Sequence, residues 1–322
     1  MPLRPSSPAR LLGRSAALGT LAGAAGLFYA SVVELRWFAL RTAELPVLPP
    51  GSSPVKVLHL SDIHMRPAQG RKQDWIRGLA DLEPDLVVST GDNLAHMESV
   101  PVVLDSLGPL LDVPGVFVLG SNDYFAPTMR NPVKYLLPDD GRRSVHSPRL
   151  PWRKLIKGFE KRGWLDLDNR RDGLKVRDLR FAFAGVDDPH LGYDDLATVA
   201  GPADESADVR VAVTHAPYLR VLDRFAADGY DAIFAGHTHG GQLCLPGKGA
   251  LVTNCDLDTG RAKGLHRHPA ESRPGDPRSS WLHVSAGLGT SPYAPARFFC
   301  RPEATLVTLT ARPGFVEEAS LG

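Results

Sequence analysis

Aspartate and histidine residues occur in short clusters along this sequence, in combinations that bind metal ions in proteins. The clusters hold Asp62 and His64, then Asp92, Asn122 and His215, and last the pair His237 and His239. Their carboxylate oxygens and imidazole nitrogens suit Mn²⁺, Fe, Zn²⁺ or Mg²⁺ better than copper or an iron–sulfur cluster. The sequence therefore predicts a site for divalent metal ions, if the fold brings these segments together.

Each cluster directly follows a predicted β-strand. These strands are short and rich in Val, Ile, Leu and Phe: Val55–Leu60, Asp85–Ser89, Val116–Leu119, Val209–Thr214 and Asp231–Ala235. In an open α/β sheet the carboxyl ends of the strands share one edge, and ligands bind there. We therefore expect the clusters to meet at that edge. Asp62 and His64 are two residues apart, so both would point to one side of an extended strand end.

Helical spacing alternates with these strands. The predicted helices are Lys72–Leu82, Val102–Leu111, Lys154–Arg162 and Tyr218–Ala227, and a further strand is predicted at Phe181–Ala184. Strand–helix alternation indicates βαβ units and a mostly parallel sheet. The last third has strands with little helix between them, which favours a second sheet packed on the first; these are Ala250–Thr253, Trp281–Ser285 and Ala304–Thr310.

The composition is that of a globular protein and excludes several classes. Of the 322 residues, 43% are apolar and 23% are charged, which excludes disorder, collagen and coiled coil. Lys and Arg number 37 against 36 Asp and Glu, a net charge of +1 that gives no global field toward a nucleic-acid polymer. Three cysteines cannot form a disulfide framework.

The N-terminus combines basic residues with an apolar run. Arg4, Arg10 and Arg14 precede an uncharged stretch that runs from residue 15 to residue 33. We expect a single membrane anchor, with a cleaved signal or a soluble helix as alternatives. An anchor with its basic end inside would place the rest of the chain extracytoplasmically, and a cytoplasmic location is the alternative. The predicted division is 1–45 for this segment and its linker, and 46–322 for one catalytic domain.

Together, the clusters resemble the signature of the calcineurin-like metallophosphoesterases. That signature runs D-x-H, G-D, G-N-H-D/E, an isolated His and G-H-x-H, and the resemblance covers about Val55 to Thr310. Gly236–Leu243, Gly287–Ser291 and Arg297 resemble the membrane-associated bacterial phosphodiesterase branch. The resemblance implies an α/β fold, a four-layer α/β/β/α sandwich of two mixed sheets flanked by helices.

The resemblance also implies two divalent metal ions. One ion would be held by Asp62, His64, Asp92 and His239, and the second by Asp92, Asn122, His215 and His237, with Asp92 bridging. Such a pair clamps a phosphoryl oxygen and lowers the pKa of a bridging water, so that hydroxide attacks phosphorus. The expected activity is hydrolysis of a phosphomonoester or phosphodiester, with a phospholipid or lipid-linked pyrophosphate as one substrate class.

The sequence departs from the family at the third motif, which reads Gly120-Ser121-Asn122-Asp123. Aligned without a gap, Ser121 stands for the metal-binding Asn and Asn122 for the His that protonates the leaving group. Either Asn122 reaches the metal, or Ser121 ligates weakly and Asn122 donates hydrogen bonds. A general acid contributes about 10²–10⁴-fold to the rate, so its loss matters. Candidates to replace it are His96, His146, Tyr124 and, preferred because it follows a predicted strand, His190.

The predicted catalytic residues are therefore Asp92, Asn122 and His190. Two other functions remain open: a soluble nucleotide phosphodiesterase, and a scaffold that kept this fold but catalyses weakly. The expected partners are a phosphate-ester substrate and a membrane lipid, and the sequence predicts no oligomeric state.

Overall fold

Two β-sheets form the centre of the part of the chain that the structure describes, residues 19–129 and 147–313 of this computed structural model. The first sheet has the order β1-β14-β2-β3-β4-β5. Its strands are β1 Ala39–Leu48, β2 Val55–Leu60, β3 Leu86–Ser89, β4 Gly115–Phe117, β5 Leu165–Asp166 and β14 Glu303–Ala311. β14 runs parallel to β1 and antiparallel to β2, and β2 to β5 are parallel, so the sheet is mixed.

The second sheet has the order β12-β13-β9-β8-β7-β6. Its strands are β6 Arg170–Val176, β7 Leu179–Gly185, β8 Val209–Val213, β9 Ala232–Ala235, β12 Gly264–His268 and β13 Ser280–Val284. The four inner strands are parallel, and the edge strands β6 and β12 are antiparallel to their neighbours. A separate two-stranded hairpin joins β10 Cys244–Leu245 and β11 Gly249–Ala250.

Helices cover the outer face of each sheet. Gly70–Arg77, Ser99–Leu107 and Trp152–Glu160 pack on the first sheet, and Leu219–Ala227 packs on the second. Short helices lie at Ser121–Tyr124 and Leu196–Val199. The predicted helices Lys72–Leu82 and Val102–Leu111 both end in 3₁₀ turns, Gly78–Leu82 and Gly108–Asp112.

Three hydrophobic cores separate four layers. Along β2, Val57 points into the core between the sheets while its neighbour Leu58 points into the core under the helices, as strand alternation requires. The second sheet likewise sends Val211 to the central core and Ala212 to the core beneath Leu219–Ala227. The predicted four-layer α/β/β/α sandwich is therefore confirmed.

The sequence predicted none of the four edge strands, β1, β5, β6 and β12. β1 lies partly within the segment expected to precede the domain, and the expected boundary between residues 45 and 46 falls inside this strand. β12 forms in a basic, turn-rich stretch, and Ala250–Thr253 contributes only the two-residue strand β11. Edge strands depend on a partner distant in sequence, so their own pattern indicates them weakly.

The predicted N-terminal membrane anchor is wrong. Within residues 19–129 and 147–313, no helix is both long enough and apolar enough to cross a bilayer. The described part of the apolar run is helical over residues 19–28 and then widens into a π-helical turn at Tyr29–Val33. Its end is bound to the domain, because the Arg297 amide donates to the Ala30 carbonyl and the buried Glu34 carboxylate accepts from the Phe299 amide at 3.0 Å. Arg4, Arg10, Arg14 and the rest of residues 1–18 lie outside the described residues, and the extracytoplasmic placement that depended on the anchor loses its support.

Candidate metal centre

The predicted ligands lie on loops that leave the carboxyl ends of strands in both sheets. The loop after β2 carries Asp62 and His64, and the loop after β3 carries Asp92. In the second sheet, His215 follows β8 and His237 follows β9. The two sheets are packed face to face, so their strand ends meet at one edge of the sandwich, as the sequence predicted.

The backbone at these residues is not extended. Five candidate ligands have φ in the left-handed region, which is uncommon outside glycine: Asp62 at 48°, His64 at 44°, Asp92 at 55°, His237 at 69° and His239 at 49°. The expectation of an extended strand end at Asp62 and His64 is therefore wrong, although both side chains do point to the same centre. Each left-handed residue costs about 1 kcal/mol or more, and such strain concentrates at functional sites.

The candidate ligands form two overlapping groups of three residues, and within each group the ligand atoms lie within 4.8 Å of one another. One is Asp62, His64 and His239, and the other is Asp62, Asp92 and His215. In the first group, Asp62 Oδ1 lies 4.0 Å from His64 Nε2 and 3.6 Å from His239 Nε2. The His64 and His239 rings stack with their centroids 5.1 Å apart.

Asp92 faces both sides of this centre. Its Oδ2 lies 3.4 Å from His64 Nε2, and its Oδ1 lies 3.6 Å from His215 Nε2. A carboxylate offers two oxygens with about four lone-pair sites, so one group can serve two cations. Asp92 thus has the geometry that a bridging ligand needs.

Several buried oxygen and nitrogen atoms of the candidate ligands have no hydrogen-bond partner in the described part of the chain. They include Asp62 Oδ1, both ring nitrogens of His64, and His215 Nε2. Leaving such an atom unsatisfied costs about 1–3 kcal/mol, and more when it is charged. These atoms converge and their types match borderline divalent cations, so the residues present fit a metal centre.

Backbone carbonyls set which nitrogen of each histidine faces the centre. The Nδ1 atom of His215 lies 2.6 Å from the Thr90 carbonyl, and that of His239 lies 3.1 Å from the Gly289 carbonyl. A carbonyl only accepts, so Nδ1 carries the proton in both rings. Nε2 is then the atom available to a metal ion, the usual arrangement for ligating histidines.

Burial and charge move the pKa values of these histidines in opposite directions. Burial lowers the pKa of His64 to about 3 and that of His237 to about 4. Burial also opposes protonation of His215, but Asp92, Asp62 and Asp188 outweigh it and raise its pKa to about 9. A cation bound between these carboxylates would displace the His215 proton, because a metal ligand must be deprotonated.

Asn122, rather than Ser121, contacts the bridging carboxylate. The backbone amide of Asn122 donates to Asp92 Oδ1 at 2.7 Å, and its side-chain Nδ2 donates to Asp92 Oδ2 at 2.6 Å. Ser121 Oγ lies 3.4 Å from Asn122 Nδ2. Rotation of the Asn122 amide would turn its oxygen to the place that the nitrogen occupies, which a metal ligand requires.

His237 and His190 lie beside the two donor groups and not within them. The His237 amide donates to Asp62 Oδ2 at 3.0 Å, and its ring is 5.2 Å from that of His215. Its Nε2 is 3.1 Å from the Asn254 carbonyl, so Nδ1 is the nitrogen left for a metal. The His190 ring lies 4.5 Å from the His237 ring, one layer farther out.

The other candidates for a proton donor are placed differently. The Tyr124 hydroxyl donates to Asp187 Oδ1 at 2.8 Å, and the pKa of Tyr124 is raised by burial and by the neighbouring carboxylates. His96 is exposed, and its Nδ1 accepts from the Glu98 amide. His146 lies outside the described residues. Of the described candidates, His190 has the closest ring contact with a predicted ligand.

Glycines allow the loops to approach the ligands closely. A Cβ atom at Gly120 would meet Asp92 Oδ1 and would lie 2.7 Å from His215 Cε1, closer than real Cβ contacts come. A Cβ atom at Gly236 would meet Ser61 Oγ and would lie 2.7 Å from Asp62 Oδ2. Glycine is therefore required at both positions for backbone and carboxylate to share the space.

Asp123 was given no role from the sequence, yet it joins two of the site loops. Its buried carboxylate accepts from the amides of Asn93 at 2.8 Å, Leu94 at 3.1 Å and Gly120 at 3.1 Å. Burial, reinforced by the charge of Asp92, raises the pKa of Asp123 to about 7. The sequence signal for this role is the acidic fourth position of the Gly120–Asp123 motif.

Arg297 was also given no role, and it holds the loop behind His239. It is fully buried, and its Nη2 donates to the carbonyls of Ala286 at 2.7 Å, Gly287 at 3.1 Å and Gly289 at 2.7 Å. Gly289 is the residue whose carbonyl orients His239. A single arginine between apolar residues gives no sequence signal for such burial, since arginine is mostly exposed.

Comparison with known proteins agrees with this geometry. The model of the calcineurin-like phosphoesterase family matches residues 55–241, more than half of the chain. The protein YpbG of Bacillus subtilis is 27% identical, over 80% of this chain and 82% of its own length. The phosphodiesterase YaeI of Escherichia coli is 24% identical, over 91% and 96%.

Two further proteins also match, one by sequence and one by structure. A bovine transmembrane protein with a metallophosphoesterase domain is 28% identical, over 85% of this chain and 58% of its own length. The crystal structure of TT1561 from Thermus thermophilus is 11% identical, covers 73% of this chain and has a TM-score of 0.39. Since the family model spans every strand-end cluster from Asp62 to His239, the chain belongs to the calcineurin-like phosphoesterases, which are metal-dependent phosphoester hydrolases.

Proposed function

We propose that this chain hydrolyses phosphodiesters at a centre of two divalent metal ions. The observation that carries the proposal is the position of Asp92, whose two oxygens face His64 and His215 at 3.4 and 3.6 Å. The unpartnered and buried Nε2 atoms of both histidines support it further. The two nitrogens belong to different groups of convergent ligand atoms, as two ions would require.

Asp62, His64, Asp92 and His239 would hold the first ion, and Asp92, Asn122, His215 and His237 the second. When bound, such ions withdraw charge from a phosphoryl group and lower the pKa of a water molecule to near neutrality. The chain itself supplies the orientation. Thr90 and Gly289 fix the rings of His215 and His239, and Asp123 fixes the loop that carries Asn122.

His190 is proposed to protonate the leaving group in place of the missing family histidine. Its ring lies beside His237, its Nδ1 is 3.2 Å from the Tyr218 hydroxyl, and its amide donates to Asp188 at 2.8 Å. These contacts hold the ring near the outer side of the centre, where a departing oxygen could take a proton. Asn122 would hydrogen-bond the centre without donating a proton to the leaving group.

Metal analysis and a substrate panel test the centre. Wild-type protein expressed with Mn²⁺, Zn²⁺ or Mg²⁺ should hold two ions per chain and should hydrolyse at least one of aryl phosphates, cyclic nucleotides and phospholipids. Asp92→Asn should lose both metal and activity, whereas the exposed Asp74→Asn should keep both. Fewer than one ion per chain in the wild type would favour the non-catalytic scaffold.

The leaving group tests His190. Activity of His190→Gln should fall more for a substrate with an alkyl leaving group than for one with 4-nitrophenolate, since the better leaving group needs less protonation. Metal content should stay at the wild-type level. If His190→Gln hydrolyses each substrate at the wild-type rate, while His215→Ala is inactive, this role is refuted.

A further inference from the structure

A cavity of about 280 Å³ opens beside the proposed centre. It is lined by Tyr124, Phe125, Arg149, Trp152, Asp187 and Tyr193. These residues come from three separate segments of the chain, at positions 124–125, 149–152 and 187–193. None of the proposed metal ligands lines this cavity, and the resemblance to the family gives the cavity no function.

The cavity adjoins the centre through two of its walls. Tyr124 is in the same four-residue helix as Asn122, which donates to Asp92, so the wall begins within one helical turn of the metal ligands. Next to Tyr124 in the lining, Asp187 precedes Asp188, whose carboxylate accepts a hydrogen bond from the amide of His190. A group attached to a phosphate at the centre could therefore enter this cavity.

Aromatic rings form most of its surface. The Tyr124 ring lies 5.1 Å from that of Trp152 and 5.3 Å from that of Tyr193, and both pairs meet edge to face. The Arg149 guanidinium carbon lies 5.9 Å from the centre of the Phe125 ring. Faces and edges of this kind accept a flat ring between them.

Polar groups sit at defined positions in the cavity wall. The Tyr124 hydroxyl lies 2.8 and 2.9 Å from the two oxygens of Asp187, which fixes that carboxylate. A carboxylate has about four lone-pair sites, so Asp187 can accept further hydrogen bonds from a ligand N–H. Arg149 brings N–H donors to the same cavity.

The size restricts the ligand. Ligand pockets usually measure about 300–1,000 Å³, so this cavity is at the lower limit and suits one ring system rather than a lipid with two acyl chains. Resting on the proposed function, we propose that the cavity binds the planar heteroaromatic group of a phosphoester substrate, stacked on Trp152 and Tyr193 and hydrogen-bonded to Asp187. The substrate class is then nucleotide-like.

Matched phosphonates test this cavity without any turnover. The holoenzyme, loaded with Mn²⁺, is titrated in a calorimeter with two phosphodiester mimics, the phosphonate methyl esters that correspond to adenosine 5′-phosphate and to ribose 5-phosphate. The two probes share the anionic group and differ only in the base. Stacking on an aromatic side chain strengthens binding about tenfold or more per base, so we expect at least that preference for the adenosine probe.

Variants of the cavity residues test whether the preference for the adenosine probe arises in this cavity. Trp152→Leu and Tyr193→Leu should each reduce it to less than about threefold while leaving the affinity for the ribose probe unchanged. Trp37→Leu removes an exposed tryptophan that contacts Arg301 and should keep the full preference. Two variants are used so that misfolding of one, seen as a lost thermal transition, leaves the other as the test.

The outcomes separate the cavity from the metal centre. Equal affinity for both phosphonates in the wild type would overturn the cavity proposal and leave the metal centre intact. Binding of neither phosphonate would contradict the proposed function. In that case the cavity proposal is tested separately, by the binding of adenosine without a phosphonate. Saturable quenching of tryptophan fluorescence by adenosine that Trp152→Leu abolishes would support it, and absence of quenching would overturn it.

Discussion

Arg297 gives the sharpest test of how the loop behind the proposed centre is held. Its Nη2 donates to two carbonyls at 2.7 Å, those of Ala286 and Gly289, and to a third at 3.1 Å. Removing the donor from a buried, charge-assisted hydrogen bond costs about 1–3 kcal/mol per unsatisfied acceptor. Counting only the two shortest bonds, we expect Arg297→Met to lower the free energy of unfolding by about 4 kcal/mol.

Arg297→Lys keeps the positive charge but loses the fork of donors. An ammonium presents its donors from one point, whereas the Arg297 guanidinium also reaches the Cys300 carbonyl through Nη1 at 3.3 Å. We therefore expect a smaller loss of stability, about 2 kcal/mol. The second effect is on His239, because Gly289 accepts from both Arg297 and the His239 ring. Removing a partner that orients a metal-binding histidine weakens metal binding by about 10–100-fold.

Two measurements separate these effects. Urea denaturation with a chelator present gives the stability of the metal-free chain, and titration with Mn²⁺ under native conditions gives the metal affinity. Arg301→Lys is the matched control, since Arg301 also donates to two carbonyls, those of Trp37 and Phe38, far from the ligands. Wild-type metal affinity in Arg297→Lys would refute the positioning role, and unchanged stability in Arg297→Met would refute the buried network.

Three further predictions concern space, pH and the core. Gly120→Ala should abolish the metal binding that calorimetry measures, because the added Cβ would overlap Asp92 Oδ1. Metal binding as in the wild type would contradict this prediction. Burial lowers the pKa of His283 to about 3, and that of its hydrogen-bonded neighbour His59 well below its ordinary value. Both are neutral in the folded protein, and below about pH 6.5 they take up protons only when the chain unfolds. The free energy of unfolding should therefore decrease as the pH is lowered, and His283 should account for about 2 kcal/mol of that decrease between pH 6.5 and 5. Urea denaturation of His283→Gln should show a smaller decrease over the same range. Phe225→Ala, at a fully buried position beneath the second sheet, should cost about 3–5 kcal/mol in the same assay, and a loss under 1 kcal/mol would contradict its place in that core.

The strand-end motifs could be predicted because their signals are local. β2, β8 and β9 are each a mainly apolar segment with a predicted ligand two residues after its end, and the structure differs from the predicted bounds there by one residue or none. The choice of metal chemistry also came from residue types alone. The assignment of each ligand to an ion stays a prediction.

Other features of the site depend on contacts between distant residues. Asn122 is selected over Ser121 by its approach to Asp92, thirty positions away in the chain. The left-handed backbone at Asp62 and His64 is held by surrounding loops, and no local pattern favours it. Sequence reasoning therefore identified these residues without their geometry.

The N-terminal segment shows the same division. Its apolar composition was correctly noted, but composition does not distinguish a membrane span from a helix that packs on a domain. The contact of Glu34 with Phe299 and the pairing of β1 with β14 join chain ends more than 250 positions apart. Such pairing depends on what the rest of the fold leaves uncovered.

By itself, the sequence determined the family and the set of candidate ligands, because these depend on motif residues and residue chemistry along short segments, and the order of layers followed from the resemblance to that family. Only the tertiary structure decided which atoms of those ligands converge, how Arg297 and Asp123 hold their loops, and that three chain segments line an aromatic cavity beside them. The physical reason is that close packing and buried hydrogen bonds are set by groups distant in the chain, whose meeting no local pattern specifies.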